Sequence, residues 1–298
     1  MPFISSSPIM YFNVQATEKA GVTAPKTREE FQSVTAPALK TAGYTALAKS
    51  QLPWIFTKNF VSRHNLPFAT NNNGYDGTEG TKTQVNNYAI KAHFTAVTKW
   101  QKDGFFEWFG TGWSDNQTPF EEGKVAIWLG SSGSFGGLPK KDLSFDFSAT
   151  YLPYWEAVTT EPKQTFIGGA SLFAMAGHDA DENKATAAFF QFLTKPETQY
   201  FWHQETGYVP ITEAAYEMAK ADGYYDRAPA AEVGIQQLSL PVGENTKGYR
   251  MGFYVQIRDV MNREFGRILT GETTVEDSFA AIETEAYALL AKFAKTQK

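Results

Sequence analysis

The apolar run Val125-Ala126-Ile127-Trp128-Leu129 breaks abruptly into Gly130-Ser131-Ser132-Gly133-Ser134. A buried strand ending in a Gly/Ser turn presents free backbone N–H groups and hydroxyls at a sheet edge, and a following helix adds positive dipole. That chemistry suits an oxyanion such as a phosphate or a carboxylate. The other reading is a ligand-free loop, since Gly/Ser turns occur in any chain. Three more stretches offer compatible groups. The glycine pair Gly168-Gly169, inside the strand-like run Phe166 to Met175, admits close approach of a backbone or ligand. Tyr208 follows the helix-ending Gly207, and Arg258 carries a fixed charge on a helix flank. Together they would furnish an apolar-walled cleft with polar anchors and one cation. Spacing alone does not bring them together.

Catalysis needs a constellation that this sequence does not display. The carboxylate pairs Glu29/Glu30, Glu121/Glu122 and Asp179/Asp181/Glu182 fall at helix starts or turns, where negative charge is structural. The serines of Ser5-Ser6-Ser7 and of the Gly/Ser turn have no nucleophile elbow and no evident base. There is no P-loop or dinucleotide fingerprint. His64, His93, His178 and His203 do not have metal-ligand spacing, and there is no cysteine to supply a thiolate. Asn72 to Thr83 faintly resembles a calcium loop, but Gly74 stands where a side-chain oxygen is required and Thr83 where a bidentate Glu is required. No metal, cofactor or enzymatic activity is therefore expected. A net charge of −5 without a basic block argues against nucleic acid and anionic membranes as partners. The 24 Phe, 14 Tyr and 7 Trp suit a sugar-type or amphipathic ligand, or simply a large core. No apolar run is long enough to span a membrane, and MPFISSSPIMYFNV lacks the basic start and apolar run of a signal peptide.

The elements that must hold these groups alternate between strand and helix, which predicts an α/β class in one large or two smaller domains. Residues 2–14 read as extended. Thr27 and Glu30 form a capping box for a helix with Phe31, Val34 and Leu39 inward, kinked or shortened by Pro37. A short strand over Tyr44 to Ala48 and an aromatic helix from Pro53 to about Asn65 follow. Thr70 to Lys82 reads as loop. Val85, Tyr88, Ala89, Ala92, Ala96, Val97 and Trp100 mark the next helix face. Phe120 to Gly123 reads as a turn and Phe145 to Tyr154 as a strand, with a polar connector over Glu156 to Lys163. Asp179 and Glu182 cap a helix, Pro196 opens another that Gly207 ends, and a third runs from about Thr212 to Ala221. Asp222 to Tyr249 reads as a Gly- and Pro-rich loop before a helix holding Gln256, Arg258 and Ile268. The last helix starts at Thr273, boxed by Glu276, and buries Val275, Phe279, Ile282, Leu289 and Phe293.

Seven segments carry a family resemblance: MPFISSSPIMYFN, APKTREEF, HNLPFATNNNGYDGT, VAIWLGSSGS, FIGGASLF, KPETQYFWHQETGYVPIT and TKGYRMGFYVQIR. In this order they resemble the periplasmic solute-binding proteins of ABC importers, in the glycerol-3-phosphate-binding, Ugp-type branch. The resemblance implies a type II periplasmic-binding-protein fold, with two lobes hinged around one ligand cleft. It also implies a monomer in the periplasm or another extracytoplasmic space, delivering glycerol phosphate or a glycerophosphodiester to inner-membrane permease subunits. By motif, the ligand contacts are Ser6 of the triple serine, Ser131 of SSGS, Gly169 of IGGAS, Tyr208 of TGYVPIT and Arg258 of QIR. Gln51 stands where close relatives carry a tryptophan. An aromatic wall for a quaternary ammonium is thereby lost, unless Trp54 replaces it. Alternatives are a carbohydrate-binding protein of the same fold, a glycoside hydrolase-type enzyme, or a lobe kept for protein contact.

In the family the MPF-x-SS segment lies inside the protein, at the hinge. The resemblance therefore implies that the first part of the N-terminal lobe is missing. Residues 1–163 and 213–298 would form the C-terminal lobe, and 164–212 a return segment of the N-terminal lobe, exposing apolar residues such as Phe189 and Phe192. Such a chain is expected to bind ligand poorly alone. Nanomolar to low-micromolar affinity in a direct titration would contradict this, and the coding sequence upstream of Met1 tests the boundary.

Overall fold

The computed structural model describes residues 1–297. Its strands are β1 (Pro2–Ser6), β2 (Pro8–Asn13), β3 (Thr45–Lys49), β4 (Val125–Ser131), β5 (Phe147–Thr150) and β6 (Gly168–Ser171). The main sheet runs β3-β4-β2-β5, with β3 parallel to β4 and β2 antiparallel to both of its neighbours. The second sheet is a two-stranded ribbon of β1 antiparallel to β6. Only Ser7 separates β1 from β2, so the chain passes directly from ribbon to main sheet.

Successive side chains on a strand point to opposite faces, and both faces of the main sheet are covered. Ile9 and Tyr11 of β2, with Trp128 of β4, pack on Phe120, Phe135, Leu138 and Val233. Met10 of β2, with Leu47 and Leu129, packs on the other side among Phe31, Phe56, Phe94, Phe265 and Phe279. Every residue of β4 is buried, which explains its unbroken apolar run.

Several elements depart from the sequence reading. Thr27 caps its helix, with Glu30 N–H donating to its hydroxyl at 3.1 Å, and Phe31 and Leu39 are buried. Val34 is exposed instead of inward. Phe31–Thr35 forms a π turn, with Ala36 N–H bonded to the Phe31 carbonyl, and Thr35 takes the buried position. The wide turn immediately precedes Pro37, which has no N–H to offer a regular helix. The helix Tyr88–Lys102 buries Ile90, His93, Phe94, Val97 and Trp100, while Tyr88 is 86% exposed. The residues between 222 and 249 are not all loop: Tyr224–Arg227 and Pro229–Leu238 are helical. Pro229 sits in a first turn, where its missing N–H costs nothing. Gly234 is there for clearance, because a Cβ would stand 2.6 Å from Ser132 Cβ. Trp113–Glu121 is a helix that the sequence reading lacks, and Phe120 to Glu122 belong to its C-terminal end rather than to a simple turn. The strands at 145–154 and 166–175 shrink to β5 and β6. The last helix is capped by Thr274, not Thr273, with Asp277 N–H donating to its hydroxyl at 3.1 Å.

Between residues 164 and 212 the local signals are realised. Asp179 accepts from the Asp181 and Glu182 N–H groups at 2.9 Å each, Glu182 accepts in return from Asp179 N–H, and helix Ala180–Leu193 follows. Gly207 ends helix Pro196–Thr206 at φ 74°. Tertiary cover is sparse on this segment. Phe173 is 81% exposed, Phe189 54% and Phe192 50%.

Beneath the main sheet lies a buried basic group. Lys49 Nζ stands 3.7 Å from the Phe56 ring centroid and has no hydrogen-bond partner among the described residues. An Arg28 N–H meets the His93 ring, so that ring accepts and is neutral. His64 Nδ1 bonds the Phe60 carbonyl at 2.7 Å, while its Nε2 accepts from Trp155 N–H at 2.8 Å. A proton added at Nε2 would point at another N–H. Burial, then the charge of Arg28, holds His64 down at about 3. The same two causes push His93 well below its ordinary value.

Acid should therefore destabilise the fold. Below about pH 6.5 the unfolded histidines take up protons that the folded ones refuse, so stability falls as pH falls. His64 alone is expected to cost about 2 kcal/mol by pH 5, and His93 adds to the loss in the same direction. Urea denaturation at pH 7.5 and pH 5 checks this, and His64→Gln should remove its share of the difference. A second expectation concerns the ribbon. Gly169 adopts φ +117°, and a Cβ there would lie 1.5 Å from the Ile4 carbonyl oxygen. Gly169→Ala should cost on the order of 2–3 kcal/mol. Unchanged denaturation midpoints would refute that reading.

Candidate functional site

The ribbon, the main sheet and the Gly/Ser turn meet at Ser7. Ser132 N–H donates to the Ser7 carbonyl at 2.8 Å, and Ser7 N–H donates to Ser132 Oγ at 3.1 Å. Ser7 Oγ lies 2.8 Å from Thr165 Oγ1 and also accepts from Gln237 Nε2 at 2.8 Å. Tyr11, buried in the sheet, donates its hydroxyl to the Ser131 carbonyl at 2.8 Å. These bonds fix four distant chain segments at one point. Val209 N–H then donates to the Ser5 carbonyl at 2.7 Å, bringing the residue after Tyr208 alongside β1.

A cleft of about 650 Å³ opens over this junction. Ser6, Ser131, Gly169, Tyr208 and Arg258, the five residues singled out from the sequence, all line it. They come from β1, β4, β6, the loop after helix Pro196–Thr206, and helix Tyr254–Thr270. Glycines permit the close packing. A Cβ on Gly133 would lie 2.6 Å from the Tyr208 ring, and one on Gly168 would lie 2.5 Å from the Trp54 indole. Ser131 Oγ accepts from Gly133 N–H at 3.1 Å, which orients the turn. Gln51 also lines the cleft, held at φ 49°.

The sequence reading did not anticipate Lys58 and Trp113 in the lining, and it raised Trp54 only as a substitute wall. Lys58 ends an aromatic turn, Pro53–Lys58, where a lone lysine reads as a solvated charge. Its ammonium donates to the Tyr249 hydroxyl at 2.9 Å and lies 5.1 Å from the Tyr254 ring centroid. Burial, then the charge of Arg258, brings it down to about 8. Arg258 has one carboxylate nearby, Asp259, at 3.9 Å. That is beyond hydrogen-bond length. Among the described residues Lys58 has no ion-pair partner. A second cavity, of about 400 Å³, differs in kind. Its lining cations Lys140 and Arg227 are paired with Glu205 at 2.9 Å and Asp222 at 2.7 Å. The first cleft thus holds two cations that no carboxylate among the described residues hydrogen-bonds, plus hydroxyls and backbone groups, an arrangement that can neutralise an anion. No cluster able to hold a metal ion is found among the described residues.

Residues 1–232 match the family described as bacterial extracellular solute-binding protein. The sn-glycerol-3-phosphate-binding periplasmic protein UgpB of Yersinia enterocolitica is 36% identical over 301 residues, covering all of this chain and 68% of the relative. The chain thus spans about two thirds of that relative's length. Among solved structures, UgpB from Mycobacterium tuberculosis in complex with glycerophosphocholine superposes with TM-score 0.77 at 20% identity, over 98% of this chain and 71% of that one. The cyclic alpha-maltosyl-1,6-maltose binding protein of Arthrobacter globiformis superposes with TM-score 0.73 at 20% identity, over 97% and 71%. The two superpositions establish the shared α/β binding-protein fold. With most of its length matched to the family and a full-chain relationship to a curated member, the chain belongs to the bacterial extracellular solute-binding proteins.

Proposed function

We propose that this chain is the substrate-binding component of an ABC importer, taking sn-glycerol 3-phosphate or a glycerophosphodiester in the cleft and acting outside the cytoplasm with permease subunits as partners. The observation that carries the reading is the convergence of Ser6, Ser131, Gly169, Tyr208 and Arg258 on one cleft whose cations have no hydrogen-bonded carboxylate among the described residues. A phosphate in a cleft needs a fixed cation, hydroxyls and N–H donors. Arg258 is the phosphate anchor, Ser6 and Ser131 are hydroxyl donors, Gly169 offers its backbone, and Tyr208 its hydroxyl or ring. The curated relative named for sn-glycerol-3-phosphate supports the ligand class.

Trp54 and Trp113 on the cleft wall favour a second reading, an oligosaccharide ligand, since indole faces stack on sugar rings. Calorimetric titration with glycerol 3-phosphate and with maltose, up to millimolar ligand, separates the two. Glycerol 3-phosphate should bind and maltose should not. Arg258→Ala should weaken binding by about 10- to 150-fold, the 1.5–3 kcal/mol of a charge-assisted hydrogen bond. Equal affinity in the variant would sink the assignment.

In this reading residues 1–163 and 213–298 form one lobe, and 164–212 belongs to a second. Support comes from the exposed Phe173, Phe189 and Phe192, three large apolar side chains uncovered within one segment. Changing Phe189 and Phe192 together to Ser should alter stability by less than about 0.5 kcal/mol per site and reduce binding of an apolar dye. Phe279→Ala, in the core, should cost about 3–5 kcal/mol. Comparable losses at the two places would show that the helix Ala180–Leu193 is already packed.

A further inference from the structure

Lys58 is placed differently from Lys49, the buried lysine under the sheet. Lys49 is sealed over Phe56 with no access to a ligand, whereas Lys58 lines the cleft beside Arg258. The groups facing Lys58 are the Tyr249 hydroxyl at 2.9 Å, the Tyr249 and Tyr254 rings at 5.3 and 5.1 Å, and the Arg258 charge. None is a carboxylate or a histidine. Two like charges held in one partly desolvated cleft repel each other, and an anion that touches both relieves the repulsion.

We propose that Lys58 is a second phosphate-anchoring residue and that, with Arg258, it selects a doubly charged phosphate monoester over a singly charged phosphodiester. This rests on the proposed phosphate-ligand function and goes further, because it names the ligand class. Two cations match the two charges of a monoester, whose second ionisation lies near pH 6, while a diester leaves one cation uncompensated.

The choice also makes binding sensitive to pH. Lys58 stands at about 8 in the empty cleft, and an adjacent dianion raises it. Above pH 8, binding must then take up a proton, so affinity falls as pH rises. Burial holds Tyr249 up at about 12 and pushes Tyr254 upward too, which leaves Lys58 to account for the effect.

The test is calorimetric titration of glycerol 3-phosphate and glycerophosphocholine at pH 7 and pH 9, in buffers of different ionisation enthalpy, with wild type, Lys58→Gln, Lys58→Met and Lys58→Arg. Wild type should bind the monoester more tightly than the diester, weaken several-fold toward it from pH 7 to 9, and take up a fraction of a proton at pH 9. Lys58→Gln should lose about tenfold or more toward the monoester and less than about threefold toward the diester. Lys58→Met should do the same, and Lys58→Arg should keep the monoester preference without the proton uptake. The proposal is overturned if Lys58→Gln and Lys58→Met, folded by circular dichroism, keep the wild-type ratio of affinities, or if proton uptake survives them. A wild type that ignores both phosphates, or binds them independently of Arg258, overturns the phosphate reading itself instead.

Discussion

The pair of hydrogen bonds between Ser7 and Ser132 is the constraint on which the rest of the cleft depends. It joins the junction of β1 and β2 to the end of β4, across 125 residues of chain. Gln237 and Thr165 complete the polar satisfaction of Ser7, so a helix and the approach to β6 are tied to the same residue. A buried hydroxyl left without partners is costly, and here each bond also specifies position. Ser6 and Ser131 are immediate chain neighbours of this pair. Their placement therefore follows from core chemistry rather than from any ligand.

The positive charges fall into two populations that the fold treats in opposite ways. Under the sheet, Lys49, Arg28 and His93 lie in an aromatic interior where burial weakens the hold of each base on its proton, although Arg28 stays charged at neutral pH. In the cleft, Arg258 is half exposed and Lys58 borders open volume, so water stabilises both charges until a ligand takes its place. Burial alone does not distinguish a binding cation from a structural one. Access to a ligand-sized volume and the lack of a hydrogen-bonded carboxylate do.

Much of the architecture was legible because local chemistry dictates it. Thr27, Asp179 and Gly207 mark helix ends through bonds to their own backbone neighbours, Pro196 by its fixed φ and missing N–H, and these ends lie where expected. The phases that failed did so for nameable reasons. The π turn at Phe31–Thr35 rotates the apolar stripe by one residue, and periodicity cannot register an extra residue inside a turn. Pro229 and Gly234 looked like breakers, although one occupies a tolerant first turn and the other makes room for Ser132. Convergence of Ser6 with Arg258, 252 positions apart, is a property of sheet order that no spacing rule reaches; only the family motifs pointed to it. Lys58 escaped both routes, since it belongs to none of the recognised ligand positions and a single lysine has no pattern.

The indole of Trp54 lies across the peptide of Gly168, close enough that no side chain fits between them. Trp54 belongs to the turn after β3, and Gly168 opens β6, where the chain departs toward its exposed helices. The ring also borders the cleft. Its emission, together with that of Trp113 on the same wall, should therefore respond to occupancy, and Trp54 also to any relative movement of those two segments, while Trp100 is locked in the core. The protein carries its own optical gauge, and kinetics could be followed without attaching a label.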